Sequence, residues 1–243
     1  MPVDIHDIEP VLISYIDGEY FIFDLDVLKY LRENYHVVGI LAGTLPQVPQ
    51  QNVFLGLPLQ LMAEETAFLV NKGVAKIVDE VASHQSLLKP PADGVDDEQV
   101  RLKVAELEAA GVTEQNHLQW FTTSLLSTVP NTYISESSVE SVYSTPRFLI
   151  YKFLNERGYF ISPGLRFGAQ FVAYPGDPLR YHSHYLVRGV DYNEEFPLLD
   201  MVGSGRLGTS VKKAWMIGSQ VPTQEDASES EFEGFCIEWA GFG

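Results

Sequence analysis

The sequence predicts an α/β protein whose sheets are mixed (α+β in character) and covered by helices, and three observations lead to this fold class. Strand-like and helix-like segments alternate in the first third of the chain and again in the last. The 243 residues, 45% of them hydrophobic, can fill one large core or two small ones. A breaker-rich and charged stretch separates the two alternating regions. We therefore predict a small N-terminal α/β domain over 1–84, a connector over 85–145 and a C-terminal domain over 146–243.

The N-terminal domain is predicted to begin with a hairpin. Two β-rich runs, Val11–Ile16 and Glu19–Phe23, flank Asp17-Gly18, which is a strong signal for a two-residue turn. Asp24 can then cap a helix from about Leu25 to Asn34. A short strand, a Pro-rich loop, a helix and a strand follow in the prediction, over Val37–Leu41, Leu45–Gln50, Leu57–Asn71 and Val74–Val78.

The connector differs in composition from both flanking regions. Lys89–Gly94 is a cluster of helix and strand breakers. Two charged segments, Asp96–Ala110 and Glu114–Ser127, are candidates for helices, whereas Asn131–Thr145 is rich in Ser and Thr and shows no helical period. The sequence thus predicts a helical and Ser/Thr-rich connector that is partly mobile.

The C-terminal domain is predicted to begin with a helix. Pro146 suits its first position, and Gly158 can close it shortly after Arg157. Phe148, Tyr151 and Leu154 would share one face of this helix. Strands are predicted at Tyr159–Ser162, Gln170–Tyr174, Ser183–Val187, Lys213–Ile217 and Phe235–Trp239, with a short helix at Pro197–Val202.

Composition and charge narrow the possible functions. The single cysteine, Cys236, excludes an intrachain disulfide. We expect no signal peptide, because the N-terminus is acidic and has no basic region before a small-residue cleavage site, and no membrane insertion, because no apolar run approaches ~20 residues. A net charge of −17 argues against a general nucleic-acid binder. Between Arg147 and Gln220, however, nine Lys/Arg outnumber six acidic residues, which gives a local charge of +3. Such a basic patch suits a structured RNA that is delivered to one face.

Three side chains in the C-terminal region have complementary chemistry. Tyr174 ends a strand-like run, His182 opens the next one, and Lys213 begins a third. The adjacent Lys212 would point the other way if it continued this strand. A base, an acid and a cation are what cleavage of RNA by its own 2′-hydroxyl requires, because an imidazole exchanges protons near neutrality and a cation stabilises a phosphorane. His184 lies two residues on from His182, and strand alternation alone does not separate the two. The pattern predicts a metal-independent ribonuclease.

A second pair of side chains, Arg206 and Trp239, can bind a nucleobase. A guanidinium and an indole can sandwich an extruded base through stacking and cation–π contacts. The alternative for Trp239 is a core or interface aromatic.

The motifs around these residues resemble the tRNA-splicing (tRNA-intron) endonuclease catalytic domain, over about residues 147–243. The resemblance rests on Gly158–Gly168, on Tyr174, on His182-Ser183 and on Val211-Lys212-Lys213. Within the family, the chain is most similar to the eukaryotic catalytic subunit assigned to the 3′ splice site. Further phrases carry that similarity: Tyr174–Arg180, Arg206–Thr209 and Glu238–Gly243, with Gly43–Pro46 and Gln50–Leu55 similar to its N-terminal domain.

The resemblance implies a restriction-endonuclease-like catalytic domain and a role for each site residue. Tyr174 would be the general base, and Lys213 would be the stabilising cation. The general acid would be His182, which is the first histidine of its motif. Arg206 and Trp239 would grip a base at the neighbouring subunit's splice site. The reaction would be a lyase-type transesterification that needs no metal or cofactor and leaves a 2′,3′-cyclic phosphate and a 5′-OH.

The resemblance also implies partners and a location. The substrate would be an intron-containing pre-tRNA, and the chain would join a second catalytic subunit and two structural subunits in a heterotetramer. The nucleus is the expected compartment, with the cytosolic face of mitochondria as the alternative. The competing function is a non-catalytic scaffold or RNA-binding subunit of the same kind of complex, since fold alone does not confer activity.

Overall fold

The computed structural model describes residues 10–44, 55–88, 132–135, 137–222 and 232–240. They form two five-stranded mixed sheets, each accompanied by helices, which confirms the predicted fold class. Within these ranges, every helix is too short or too polar to cross a bilayer.

The N-terminal sheet has the strand order β3-β4-β2-β1-β5, in which β1 and β5 are parallel and the other pairs antiparallel. Its strands are β1 (Val11–Ile16), β2 (Glu19–Ile22), β3 (Ile40–Thr44), β4 (Leu55–Leu61) and β5 (Ala75–Asp79). Its helices are α1 (Leu25–Tyr35), α2 (Ala63–Asn71) and α3 (Glu80–Leu88).

The first hairpin and helix form as predicted. Asp17 and Gly18 have φ values of 51° and 90°, the left-handed backbone that a tight two-residue hairpin requires. The Asp24 carboxylate accepts hydrogen bonds from the amides of Asp26 (2.7 Å) and Val27 (3.2 Å), so that it caps α1.

The predicted helix over Leu57–Asn71 is wrong in its first half. The segment Leu55–Leu61 is a strand that pairs with both β2 and β3, and only Ala63–Asn71 is helical. Leucine occupies every second position of that strand, a period of two that favours β structure. The short strand predicted from Val37 begins only at Ile40. The amides of Val38 and Gly39 both donate to Glu65 (3.0 Å each) and are not available to a sheet.

The end of the connector is more ordered than the sequence predicts. Ser137–Tyr143 is a helix, α4, and its Val139 is completely buried. The amide of Asp79 donates to the Thr132 carbonyl, and the amide of Ile134 donates to Ile77, so that this segment extends the edge of β5. Other predicted segments lie outside the described residues: 45–50, 89–94, 96–110 and 114–127.

The C-terminal sheet has the order β10-β9-β8-β7-β6, in which β8 and β9 are parallel and the other pairs antiparallel. Its strands are β6 (Phe160–Pro163), β7 (Phe171–Tyr174), β8 (Tyr185–Gly189), β9 (Ala214–Gln220) and β10 (Phe232–Ile237). The helices are α5 (Pro146–Asn155) and α6 (Leu198–Ser210), with a short 3₁₀ turn at Leu165–Phe167.

Helix α5 matches its prediction closely, whereas α6 does not. Phe148, Tyr151 and Leu154 are all buried on one face of α5, and Gly158 follows it with a φ of 83°. The short helix predicted over Pro197–Val202 continues instead to Ser210. Glycines at 203, 205 and 208 lower intrinsic helix propensity, but Gly205 and Gly208 let the helix approach its neighbours closely.

The two domains share one hydrophobic core. Ala67 and Phe68 of α2 belong to the same buried cluster as Tyr151 of α5, and the Phe68 and Tyr151 rings meet edge-on with centroids 6.0 Å apart. The Asn155 side chain donates to the carbonyl of Tyr35 (2.9 Å). Ion pairs also cross the boundary: Arg32–Asp177 (2.6 Å), Lys72–Glu156 (2.8 Å) and Glu64–Arg147 (2.7 Å).

Candidate active site

Three strands of the C-terminal sheet, β7, β8 and β9, have a terminus at the same end of the sheet. Ala173 pairs with Tyr185 across β7 and β8, and Tyr185 pairs with Ala214 across β8 and β9. The amide of His184 donates to the Ala173 carbonyl (3.0 Å), and the amide of Ala214 donates to the His184 carbonyl (3.0 Å). Because β7 ends where β8 and β9 begin, the residues that flank this row, Tyr174, His184 and Lys213, lie at the same end of the sheet.

Tyr174 is the last residue of β7 and is half-buried. Its side chain packs against a small apolar cluster that includes Val172, Leu186 and Trp215. Across the sheet it pairs with Phe160 of β6. The predicted base therefore has a side chain supported by the core on one side, which restricts where its hydroxyl can lie.

His182 belongs to the loop between β7 and β8, not to a strand. Its side chain is exposed, whereas the adjacent Ser183 is buried and His184 is exposed. The predicted strand from Ser183 begins two residues later, at Tyr185. The imidazole of His182 thus projects from a loop at the same end of the sheet, and neither His182 nor His184 lies in a strand.

Lys213 comes directly before β9 and is half-buried. Its ammonium donates to the Val211 carbonyl (3.1 Å) and lies 5.3 Å from the centroid of the Phe167 ring, while its amide donates to Gly208 (2.8 Å). We expected Lys212 to point away, as in a strand. That prediction is wrong, because Lys212 lies in a turn with a φ of 56° and both lysines border the same cavity.

An open cavity of about 410 Å³ lies at this end of the sheet. Its walls consist of His184, Tyr185, Thr209, Lys212, Lys213, Ala214, Glu238 and Trp239. Two of the predicted site residues, Lys213 and Trp239, are therefore part of it. Tyr174, His182 and Arg206 are not among the lining residues, and the histidine in the wall is His184.

Trp239 is attached to α6 through its backbone. The strand β10 ends at Ile237, so Trp239 follows the strand instead of closing it as predicted, and its side chain is 38% exposed. The Thr209 hydroxyl accepts from the Trp239 amide (3.1 Å) and donates to its carbonyl (3.4 Å). Arg206 is exposed one turn earlier on α6 and shares the helix face of Thr209. The predicted pair thus lies on one accessible side of the domain.

The phenol of Tyr185, which lines the cavity, has a raised pKa. Burial raises the pKa of the Tyr185 phenol, and the neighbouring Tyr159 and Glu238 raise it further, so that this tyrosine is neutral at physiological pH. Over the ranges that the structure covers, no group of three or more His, Cys, Asp or Glu side chains is arranged to hold a metal ion.

Comparison with known proteins gives these residues a family. The chain matches two family models, "TSEN34-like, N-terminal domain" over residues 11–80 and "tRNA intron endonuclease, catalytic C-terminal domain" over residues 145–227. It is 38% identical to the probable tRNA-splicing endonuclease subunit sen34 of Schizosaccharomyces pombe, over 95% of this chain and 98% of that protein. The chain belongs to the tRNA-splicing endonuclease family.

Two further relatives place the chain in the Sen34 group of this family. The tRNA-splicing endonuclease subunit SEN34 of Saccharomyces cerevisiae is 33% identical over 91% of this chain and 98% of its own length. The human subunit Sen34 is 26% identical over 87% of this chain and 95% of its own length. Since the chain carries the catalytic domain of the tRNA-splicing endonucleases, it is an endoribonuclease.

Several residues of this candidate site were not singled out from sequence. Thr209 anchors Trp239, and Glu238 and Tyr185 line the cavity beside Lys213. Thr209 ends the phrase Arg206–Thr209 and Glu238 precedes Trp239, so their positions in the resembling motifs were a usable signal. Tyr185 follows His184 and had no signal of its own.

Proposed function

We propose that this chain cuts intron-containing pre-tRNA at the 3′ splice site by metal-independent transesterification. The observation that carries the proposal is that three strands have a terminus at the same end of the sheet, beside an open cavity. Tyr174, Lys213 and the loop that contains His182 all lie at this end. A base, an acid and a cation on separate elements at one edge can act on opposite sides of a single phosphodiester.

In the proposed reaction each side chain has one task. Tyr174 takes the proton of the 2′-hydroxyl, whose oxygen attacks the adjacent phosphorus and forms the new O2′–P bond. His182 gives a proton to the 5′-oxygen as the P–O5′ bond breaks. Lys213 stabilises the negative charge of the pentacoordinate transition state. The products are a 2′,3′-cyclic phosphate on the upstream fragment and a 5′-OH on the downstream fragment.

The exposed pair on the outer side of the site would serve a different cut. In this proposal Arg206 and Trp239 sandwich a base at the splice site of the neighbouring catalytic subunit. Two observations support this role: the backbone of Trp239 is hydrogen-bonded to α6, and its ring is accessible.

The proposed assembly is a heterotetramer with a second catalytic subunit and two structural subunits, acting in the nucleus. Strand β10 supports it, since β10 is the edge of the C-terminal sheet and presents an exposed Phe235. An open edge with apolar side chains is a suitable surface for pairing with another chain. The acidic segment before this strand, 225–231, lies outside the described residues.

The test is cleavage of an intron-containing pre-tRNA in EDTA by the reconstituted complex, with both junctions mapped and the new ends identified. We expect the wild-type complex to cut both junctions fully. We expect His182→Ala to lose the 3′ cut and keep the 5′ cut. His184→Ala is the matched control, and it should cut both junctions.

Two results would contradict the proposal. Unchanged cutting at both junctions by His182→Ala would remove His182 from the chemistry. Loss of the 3′ cut in His184→Ala alone would assign the acid to the histidine that lines the cavity.

A further inference from the structure

An interdomain ion pair reaches the loop that carries His182. Arg32 lies on α1 of the N-terminal domain, and Asp177 lies in the loop between β7 and β8, 145 positions further along the chain. The guanidinium donates through Nε to Oδ2 (2.9 Å) and through Nη2 to Oδ1 (2.6 Å). Both side chains are mostly shielded, at 21% and 31% exposure. A forked pair of this kind restricts direction as well as distance.

Asp177 also organises the loop in which it lies. Its Oδ1 accepts from the Leu179 amide (2.8 Å), and its carbonyl accepts from the amides of Arg180 (2.8 Å) and Tyr181 (2.9 Å). Gly176 lies so close to the Tyr181 ring that a Cβ there would be 2.7 Å from it. Because Tyr181 directly precedes His182, the hydrogen bonds of Asp177 fix the backbone up to the residue before the predicted acid.

The same end of α1 supports the strand beside Tyr174. His36, which caps α1, meets the ring of Phe160 edge-on with centroids 4.9 Å apart. Phe160 is the residue that pairs with Tyr174 in the β6–β7 register. Helix α1 therefore contacts both the strand that neighbours the predicted base and the loop that presents the predicted acid.

We infer that Arg32 is a positioning residue for RNA cleavage, which holds the His182 loop against the Tyr174 strand through Asp177. The inference rests on the function proposed above. Arg32 touches neither substrate nor reacting atoms, and it acts only through the carboxylate that it orients. The N-terminal domain is thereby part of the cleavage machinery as well as a structural module.

Electrostatics agree with this role. The hydrogen bonds from Arg32, followed by that from the Leu179 amide, lower the pKa of Asp177 to about 2. The carboxylate therefore remains charged, and the pair intact, throughout the pH range in which a histidine and a tyrosine exchange protons.

The experiment measures single-turnover rates at each junction and pre-tRNA affinity in the reconstituted complex. The variants are Arg32→Met, Arg32→Lys, Asp177→Asn and the double variant Arg32→Met/Asp177→Asn. We expect Arg32→Met and Asp177→Asn each to slow the 3′ cut by about 10- to 100-fold, because a displacement near 1 Å costs that much. The 5′ rate and the affinity should not change.

The double variant should be no slower than either single variant, because both substitutions break the same ion pair. Arg32→Lys should be intermediate, because an ammonium cannot bond both oxygens in the forked geometry.

The matched control is Lys72→Met. It breaks another ion pair between the same two domains, Lys72–Glu156, which lies at the C-terminal ends of α2 and α5 and not on the His182 loop. Its two rates should equal those of the wild type. An equal loss of the 3′ cut in Lys72→Met, or an unchanged 3′ rate in Arg32→Met, would overturn the inference.

His182→Ala in the same assay separates the two proposals. If His182→Ala abolishes the 3′ cut and Arg32→Met does not affect it, only the positioning role is wrong. If His182→Ala cuts normally, the proposed acid is wrong and the positioning role is overturned with it.

Discussion

At the scale of single residues, two adjacent lysines offer a direct comparison. Both border the cavity, but Lys213 is half-buried and held by the Val211 carbonyl, whereas Lys212 is exposed in a turn. We expect Lys213→Met to slow single-turnover cleavage at the 3′ junction by about 10²- to 10³-fold, the usual cost of losing one group that stabilises developing charge. Lys212→Met should change the rate only a few-fold.

One result would contradict a specific role for Lys213. Equal losses in Lys212→Met and Lys213→Met would show that both ammonium groups act through the general field on RNA. In that case the losses should shrink together as salt is raised.

Trp239 should affect the other junction. Its ring is accessible, and Thr209 bonds only its backbone, so a substitution at the side chain leaves the anchor in place. We expect Trp239→Ala to remove a stacking contact of roughly 1–3 kcal/mol and to weaken the 5′ cut, while Trp239→Phe retains part of it. Mapped cleavage of pre-tRNA measures this effect. A selective loss of the 3′ cut would instead place Trp239 at its own subunit's site.

The positions of Tyr174 and Lys213 relative to the strands could be predicted from sequence, but side-chain directions could not. Tyr174 ends β7 as the sequence predicts, and Lys213 lies one residue before the start of β9. The prediction for Lys212 failed because its left-handed backbone interrupts strand alternation. For the same reason, sequence alone did not show that His184 would line the cavity, since the strand begins only at Tyr185.

At the scale of elements, α6 couples helix packing to the site. A Cβ on Gly208 would lie 2.7 Å from the carbonyl oxygen of Lys213, whereas a Cβ on Gly203 would meet nothing within 4 Å. We expect Gly208→Ala to destabilise the chain by about 1–3 kcal/mol and to slow the 3′ cut, because the backbone of Lys213 must move. Gly203→Ala should stabilise it by up to about 1 kcal/mol through helix propensity.

Thermal unfolding and cleavage rates, measured on the same preparations, test this pair of variants. A Gly208→Ala protein that is less stable but cuts at the wild-type rate would separate α6 from the site. A destabilising Gly203→Ala would contradict the open space around Gly203.

Elements with local signals were predictable, whereas those formed by tertiary contacts were not. The Asp17-Gly18 hairpin and helices α1 and α5 carry their own turn and cap residues. Strand β4 was missed in favour of a helix, although its leucines alternate, because helix propensity and strand period compete in a short apolar segment. Helix α4 depends on the burial of Val139, and a Ser-rich sequence gives no sign that this residue is buried.

At the scale of the whole molecule, the Arg32–Asp177 pair links stability to pH. The pKa of Asp177 is about 2 in the folded chain, against an ordinary value of 3.8. A lowered carboxyl pKa contributes stability that is complete above about pH 4 and is lost as pH falls through about 2. We therefore expect the stability difference between the wild type and Arg32→Met to be constant above about pH 4 and to shrink below it.

Urea unfolding of both proteins at several pH values measures that difference. Lys72→Met is again the control, because its partner Glu156 has a more exposed carboxylate, so its effect on stability should be small throughout. A gap between the wild type and Arg32→Met that persisted unchanged down to pH 2 would mean that Arg32 stabilises the fold by packing and not through the charge on Asp177.

How the two domains dock was outside the reach of sequence reasoning. Arg32 and Asp177 lie 145 positions apart, and neither sits in a pattern that indicates the other. The mixed sheets, the basic C-terminal region and the likeness to the endonuclease family could all be read along the chain. The joint surface between the domains depends on shape complementarity, which a single sequence does not display.

The core that spans both domains has a consequence for inherited variants. Phe68 belongs to the N-terminal domain, yet its ring contacts Tyr151 beneath the catalytic sheet. Its truncation to alanine would cost about 3–5 kcal/mol, a large share of the stability of an ordinary domain. Cells would then degrade the subunit more quickly, most of all on warming. An allele of this kind would behave as a temperature-sensitive defect in tRNA maturation, although every residue of the catalytic domain was intact.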